Sequence, residues 1–394
     1  MTIKSKSLVM ETYSSVNLTF KKGEGSWLFA TNGQKYLDFS SGIAVTSIGH
    51  CHPHLVKAIK KQVEKLIHTS NLYKIGQQEK LAKRLCDISF ADSVFFANSG
   101  AEANEGAVKI ARRYMYEIGE ERRNKIVCVE GGFHGRTIAM LAATSKKENR
   151  LGFGPIPRGF VHINTSDISL LEKKLDNNVA AIMIEPVQGE GGVKKIPLNF
   201  LNAIQSIAEK NNYLIISDEV QTGMGRLGRL FGYENSPLKP DIMALAKGLG
   251  GGVPVGAVLA SKKVSSKIKP GSHGSTFGGN PLSMAAANAV LDIILKPGFI
   301  KSVNEKGNYL FSLLKKIQNK NSHIIEEVRG EGLLLGIKVK SNPLKIVEML
   351  RKENVLTVPA AENVIRFIPP LTVSFKEIDI AVSALNKTIN NYKV

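Results

Sequence analysis

The chain has 394 residues, 43% hydrophobic and 22% charged, without internal repeats or low-complexity stretches, which is long enough for one large domain and a smaller one. Its 53 basic and 34 acidic residues leave a net charge of +19, yet the lysines of residues 55–63 and 309–317 fall opposite an apolar helical stripe, the pattern of a solvated face rather than a nucleic-acid surface. Three scattered cysteines, Cys51, Cys86 and Cys128, form no Cys-x-x-Cys pair, residues 1–10 lack a signal-peptide core, and no apolar run reaches the ~18 residues of a membrane span, so a cytoplasmic protein off the membrane is expected.

His50, Cys51, His52 and His54 cluster as a metal site would, but adjacent ligands rarely converge on one ion, and Pro53 suits the first turn of a helix over 55–67. No metal is expected there. Residues 94–97 read as a short buried strand, Asn98-Ser99-Gly100-Ala101 as a tight turn, and 102–112 as a helix. A helix N-terminus offers unpaired N–H groups and the positive end of the dipole, Ser99 adds a hydroxyl, and Gly100 allows close approach, so this turn is a candidate phosphate site.

Buried runs at 126–129, 181–184, 213–217, 242–245 and 256–259, separated by helical patterns such as 200–209, predict an α/β domain around a mostly parallel sheet. The run at 213–217 leads into Asp218, an acid at the carboxyl end of the sheet that serves either a ligand or the cap of a following helix. Gly223-Met224-Gly225-Arg226-Leu227-Gly228 has the dinucleotide spacing G-x-G-x-x-G, but residues 218–221 separate it from the strand and 229–237 form no amphipathic helix to meet a pyrophosphate. A dehydrogenase is not expected.

Lys247 ends the run 242–245 beside Gly248-Leu249-Gly250-Gly251-Gly252. Desolvation there favours the neutral, nucleophilic amine that a Schiff-base lysine needs. Most lysines at strand ends are simply solvated, so partners decide: Asp218 could keep the pyridine nitrogen of pyridoxal phosphate protonated, and the turn at 98–101 could take its phosphate. From about 283 the pattern changes to long amphipathic helices, with strands at 325–330 and 332–337. The expected organisation is a large domain at 51–283 and a small α/β domain built from 1–50 and 284–394.

Ordered motifs carry a further signal: Gly49-His50-Cys51-His52-Pro53, Asn98-Ser99-Gly100-Ala101-Glu102-Ala103-Asn104, Gly132-Phe133-His134-Gly135-Arg136-Thr137, Glu185-Pro186-Val187-Gln188-Gly189-Glu190-Gly191, Asp218-Glu219-Val220-Gln221, Ala246-Lys247-Gly248, Gly274-Ser275-Thr276-Phe277-Gly278 and Arg366-Phe367-Ile368-Pro369-Pro370. In this order and spacing the chain resembles the fold-type I, class III (ω-amino) aminotransferases, and among them the subgroup acting on N-acetylornithine in arginine biosynthesis. The resemblance implies pyridoxal 5'-phosphate as cofactor, N-acetylornithine and 2-oxoglutarate as substrates, and a homodimer with a composite site. The same machinery would also suit N-succinylornithine, N-succinyl-diaminopimelate, ornithine or 4-aminobutyrate.

Residue by residue, the resemblance implies that Lys247 binds the cofactor and shuttles the proton, Asp218 pairs with the ring nitrogen, and Gln221 sits near the phenolic oxygen. Ser99, Gly100 and Ala101 would hold the phosphate, joined by Thr276 of the neighbouring subunit. Phe133 would stack on the ring, unless it is only a core anchor, with Val220 on the other face and His134 as a supporting residue. Arg366 would hold the α-carboxylate of glutamate and Arg136 the distal carboxylate, as bidentate forks. Glu190 would mask Arg366 when a terminal amine enters, although a purely structural ion pair would use the same two residues. Ser275 would contact substrate, and Glu185, ahead of Pro186, would be a pocket or a structural residue.

Overall fold

The computed structural model describes residues 8–166 and 168–392. Residues 1–7, part of the stretch read as lacking a signal-peptide core, together with Asp167 and residues 393–394, lie outside the described residues. Near the N-terminus three short antiparallel strands, β1 (Phe20–Glu24), β2 (Trp27–Ala30) and β3 (Lys35–Asp38), follow one another.

The centre is a seven-stranded sheet. Its strands are β4 (Ser93–Ala97), β5 (Lys125–Val129), β6 (Phe160–Ile163), β7 (Val179–Ile184), β10 (Leu214–Asp218), β11 (Ile242–Leu245) and β12 (Gly256–Ala260), while β8 (Val187–Gln188) and β9 (Lys194–Lys195) form a separate hairpin. The order is β4-β12-β11-β10-β7-β5-β6, parallel throughout except for β12, which is antiparallel to both neighbours. All six residues of β7 and all five of β10 are buried. Helices cover both faces, so a central strand has no polar side, and continuous apolar runs result. Leu214 and Ile216 pack with Ala103, Ala107 and Ala111 of the helix Gly100–Glu117, whereas Tyr213 and Ile215 pack with Phe200, Leu201 and Ile204 of the helix Leu198–Asn211. The edge strand β6 escaped the sequence reading because three of its four residues are only half-buried.

Two sequence expectations change. The boundary expected at 283 falls inside the helix Pro281–Ile294, which is buried nearly all round rather than amphipathic. It packs on the helices Pro53–Val63 and Gly76–Asp87 and with Met243, Leu245, Ala257 and Leu259 of the large sheet. Its run of small residues, Ala285-Ala286-Ala287, lets neighbours close in on several sides. The chain then bends by 73° into the amphipathic helix Phe299–Lys320, which packs elsewhere. The helix begun by Pro53 also stops at Val63, four residues short of the expected 67.

The C-terminal strands are β13 (Ile325–Glu331), β14 (Leu334–Val339), β15 (Val355–Leu356), β16 (Val358–Ala360) and β17 (Val364–Phe367). They form the sheet β13-β14-β17-β16, whereas β15 joins β3 in parallel. Leu37 and Phe39 share a core with Leu310, Leu314, Ile337, Phe367 and Leu385, so the first part of the chain packs with the last. The histidine cluster disperses: His50 Nε2 lies 2.8 Å from Asp38, His54 Nε2 lies 2.8 Å from Asp292, and His52 accepts from the His54 N–H at the helix start. Among the described residues no His, Cys, Asp or Glu triplet could hold a metal, and no single helix is long and apolar enough to cross a membrane.

Candidate active site

β10 ends in Asp218 and β11 leads directly to Lys247, so the parallel pair delivers a carboxylate and an amine to the same end of the sheet. A cavity of ≈ 420 Å³ lies there, lined by Ser99, Gly100, Ala101, Phe133, Arg136, Glu190, Asp218, Val220, Gln221 and Lys247, together with Val45, Asn104, His134 and Glu185.

Asp218 is 2% exposed and well supplied with donors. Asn104 Nδ2 donates to its Oδ2 at 2.7 Å, His134 Nδ1 lies 2.7 Å from the same oxygen, and the Val220 N–H donates to Oδ1 at 3.0 Å. Burial opposes charging of His134, but its hydrogen bond to Asp218 and the charges of Asp218 and Glu185 outweigh that and raise its pKa. The capping alternative for Asp218 is thus replaced by a buried pair. Asn104 closes the motif opened by Asn98 but carries no role in the sequence reading, although one polar residue on the apolar stripe of Ala103, Ala107 and Ala111 was a usable signal.

Lys247 sits at φ 42°, a left-handed conformation that a non-glycine residue holds only when its surroundings enforce it. Burial is the largest influence on its amine and lowers the pKa from 10.5; Glu190 opposes this, Arg366 adds to it, and Glu185 and Asp218 oppose it. Glu185 accepts from the Phe133 N–H at 2.8 Å and the Gly189 N–H at 3.4 Å. Burial, reinforced by Asp218, pushes its carboxyl up to about 7.

The turn after β4 caps the helix Gly100–Glu117: Ser99 Oγ accepts from the Glu102 N–H, leaving the Gly100 and Ala101 N–H groups at the open end. A side chain at position 100 would stand 2.7 Å from Val220 Cγ1. Arg366 lies behind the cavity wall, donating from Nη1 to Glu190 at 2.7 Å and to Gln221 at 3.2 Å, and from Nη2 to the Pro359 carbonyl at 3.1 Å. Arg136 is exposed at the mouth, its guanidinium 5.8 Å from the Phe133 ring centroid.

Ser275 and Thr276 are not brought to this cavity by their own chain. Asn71 Nδ2 donates to the Ser275 and Gly278 carbonyls and holds the loop beside β4, where Ser275 Oγ accepts from the Gly278 N–H and Thr276 is exposed. Ser275 lines a neighbouring groove instead.

The sequence profile of the family described as aminotransferase class-III matches residues 9–389. The chain belongs to the class III aminotransferases. It is 48% identical over 387 residues to acetylornithine aminotransferase 1 of Bradyrhizobium diazoefficiens, covering 98% of this chain and 96% of the relative. It is 42% identical to the acetylornithine aminotransferase of Methanocaldococcus jannaschii, covering 98% and 97%. Its fold is similar to that of the ornithine aminotransferase from Toxoplasma gondii ME49, with TM-score 0.93 at 34% identity over 97% of this chain and 92% of that one.

Class III aminotransferases use pyridoxal 5'-phosphate, and this cavity fits the group. A buried carboxylate stands at the strand end, a desolvated lysine follows the adjacent strand, and the cradle at Gly100 is one a Cβ would fill.

Proposed function

We propose that this aminotransferase moves the δ-amino group of N-acetylornithine to 2-oxoglutarate, yielding N-acetylglutamate 5-semialdehyde and glutamate in arginine biosynthesis. The observation that carries this reading is the 48% identity, over nearly the whole of both chains, to acetylornithine aminotransferase 1. Free ornithine is the second reading, favoured by the likeness in fold to an ornithine aminotransferase.

When bound, pyridoxal phosphate supplies the electron sink for the carbanion formed at the substrate carbon. In the proposed mechanism Lys247, held toward its neutral form by burial, would take the proton from that carbon on Nζ as base and deliver it as acid to C4′ of the cofactor. Asp218, oriented by Asn104 and His134, would hold the ring-nitrogen proton. Phe133 and Val220 would pack on the ring, Gln221 would stand near its phenolic oxygen, and the Gly100 and Ala101 N–H groups with Ser99 Oγ would hold the phosphate. Arg366 grips the α-carboxylate of glutamate, Arg136 the outer carboxylate, and Glu190 neutralises Arg366 while an amine donor without that carboxylate occupies the site.

Thr276 and Ser275 serve in this reading from a second copy of the chain, so the working unit is a homodimer. A small domain of the first ~50 residues with the C-terminal part, and a reducing cytoplasmic setting for Cys51, Cys86 and Cys128, belong to the same proposal. The test compares kcat/KM for N-acetylornithine, N-succinylornithine, N-succinyl-diaminopimelate, ornithine and 4-aminobutyrate. Highest efficiency with N-acetylornithine is expected, and a clear preference for free ornithine overturns the substrate. Borohydride treatment with the cofactor should label Lys247; a label elsewhere overturns the mechanism.

A further inference from the structure

The glycine-rich turn 223–228, dismissed above as a dinucleotide site, holds a side chain that the mechanism does not use. Arg226 is 2% exposed. Its Nη1 donates to two carbonyls, Leu333 at 3.0 Å and Pro369 at 2.6 Å, and the Leu333 N–H donates back to the Arg226 carbonyl at 3.0 Å. Among the described residues its hydrogen-bond acceptors are carbonyls rather than carboxylates, and burial lowers its pKa, to about 9. A buried guanidinium without a counter-ion is costly, and hydrophobic residues of similar volume often replace buried charges without loss of stability. Packing by itself therefore gives a weak reason for an arginine here.

The two carbonyls identify what is gripped. Leu333 immediately precedes β14 and Pro369 lies two residues beyond β17; the strands are antiparallel, with Gly336 opposite Arg366 and Leu335 opposite Phe367. One nitrogen thus ties together the adjacent ends of the strand pair that bears Arg366. The anchoring turn begins five residues after Asp218 and is close-packed on the same side: a Cβ on Gly332 would stand 2.5 Å from the Leu227 backbone, and a Cβ on Gly228 would stand 2.0 Å from Asn304 Oδ1. Leu227 also shares a cluster with Leu334, Val364 and Ile368. Within residues 218–226 the chain therefore supplies Asp218 to the cavity, Gln221 to the Arg366 guanidinium, and Arg226 to the backbone at the adjacent ends of β14 and the Arg366 strand β17.

We propose that Arg226 is a positioning residue for the Arg366 carboxylate site, setting where that guanidinium stands relative to the large-sheet residues of the cavity. The proposal rests on the reading of Arg366 given above. It predicts a selective defect. Glutamate and 2-oxoglutarate need Arg366 accurately placed, whereas a donor that leaves Arg366 paired with Glu190 does not.

The experiment uses holoenzyme carrying Arg226→Met, which keeps an apolar stem without donors, or Arg226→Lys, which keeps a cation with donors. Glutarate, a non-reacting dicarboxylate, is titrated calorimetrically, and the two half-reactions are followed separately by rapid mixing. For Arg226→Met, glutarate affinity and glutamate kcat/KM should fall about 10–100-fold, the cost of displacing a binding group by roughly 1 Å. The amine-donor half-reaction should change by less than about threefold, a difference of under ~1 kcal/mol. Arg226→Lys should recover part of the loss, and if the Met variant does not fold, the Lys variant alone must show the same selectivity in smaller degree. Equal losses in both half-reactions, or unchanged glutarate affinity, overturn the proposal. Arg366→Ala separates the two ideas: if it binds glutarate normally, the reading of Arg366 fails and this inference with it. If it loses glutarate while Arg226→Met does not, only this inference fails.

Discussion

Arg366 Nη1 lies 2.7 Å from Glu190 Oε1, with the guanidinium nearly closed to solvent and the carboxylate about one-third open. The asymmetry suits a movable partner: the cation is fixed through Pro359 and Gln221 as well, whereas the acid reaches it from the cavity side. A buried charge that loses its partner must find another or be destabilised, and in the proposed function a substrate carboxylate would be that partner. Glu190→Gln should lower the ratio of amine-donor to glutamate half-reaction kcat/KM about tenfold, equivalent to ~1.4 kcal/mol of differential stabilisation. An unchanged ratio in rapid-mixing measurements would leave Glu190 as a structural ion pair.

His134 and Asp218 make a pH-dependent contribution to the apoenzyme. The folded-state pKa of His134 is raised above 6.5, so its stabilisation is fully present below 6.5 and is lost as pH rises through the folded value. His134→Phe should flatten the melting temperature across that window. It should also weaken cofactor retention by about tenfold, since Asp218 loses one donor of a charge-assisted hydrogen bond worth roughly 1.5–3 kcal/mol. A melting profile parallel to that of the parent protein counts against the pairing.

Glu185 works over a lower window. Its carboxyl is raised from 4.5 to about 7, so the folded form binds the proton more tightly than the unfolded one. Stability attached to this group is complete below 4.5 and declines as pH rises through 7. Glu185→Gln should remove up to roughly 3 kcal/mol of that decline in the apoenzyme, read from denaturant unfolding at pH 5 and pH 8. Equal slopes in parent and variant would refute it.

Gly100 tests the cradle by volume alone. Gly100→Ala drives a methyl to 2.7 Å from Val220 Cγ1 and 3.1 Å from Cγ2, and overpacking of this kind costs about 1–3 kcal/mol. Cofactor affinity should fall with it, measured by absorbance during dialysis. Gly76→Ala, whose added carbon meets nothing within 4 Å at the start of another helix, is the matched control and should be neutral or stabilising by up to about 1 kcal/mol.

Much of the cavity could be read in advance because its members are tied to local patterns. An apolar run ending in Asp218, another ending at Lys247, and a glycine turn opening a helix are signals spread over a few residues each. The partners of those groups were harder. Asn104 is 114 positions from Asp218, and His134 is 84. His134 was read only as support, without the bond it makes, because nothing local marks which carboxylate a buried imidazole meets. Ser275 and Thr276 lie in a motif that is distinct in sequence, yet their loop is held beside β4 by Asn71, outside the cavity of its own chain.

By itself the sequence determined the alternation of buried strands and covering helices, the mostly parallel sheet, and the residues at its carboxyl end, since hydrophobic period and turn chemistry act within one or two elements. Tertiary structure decided the rest. It ran β12 against its neighbours, turned the helix Pro281–Ile294 into core of the large sheet, and paired β15 with β3 across more than 300 residues. It also placed Arg366 under the joint hold of Glu190, Gln221 and the Arg226 turn. Such contacts follow from which apolar faces find each other when the whole chain collapses, and that choice is made by shape and packing between distant segments.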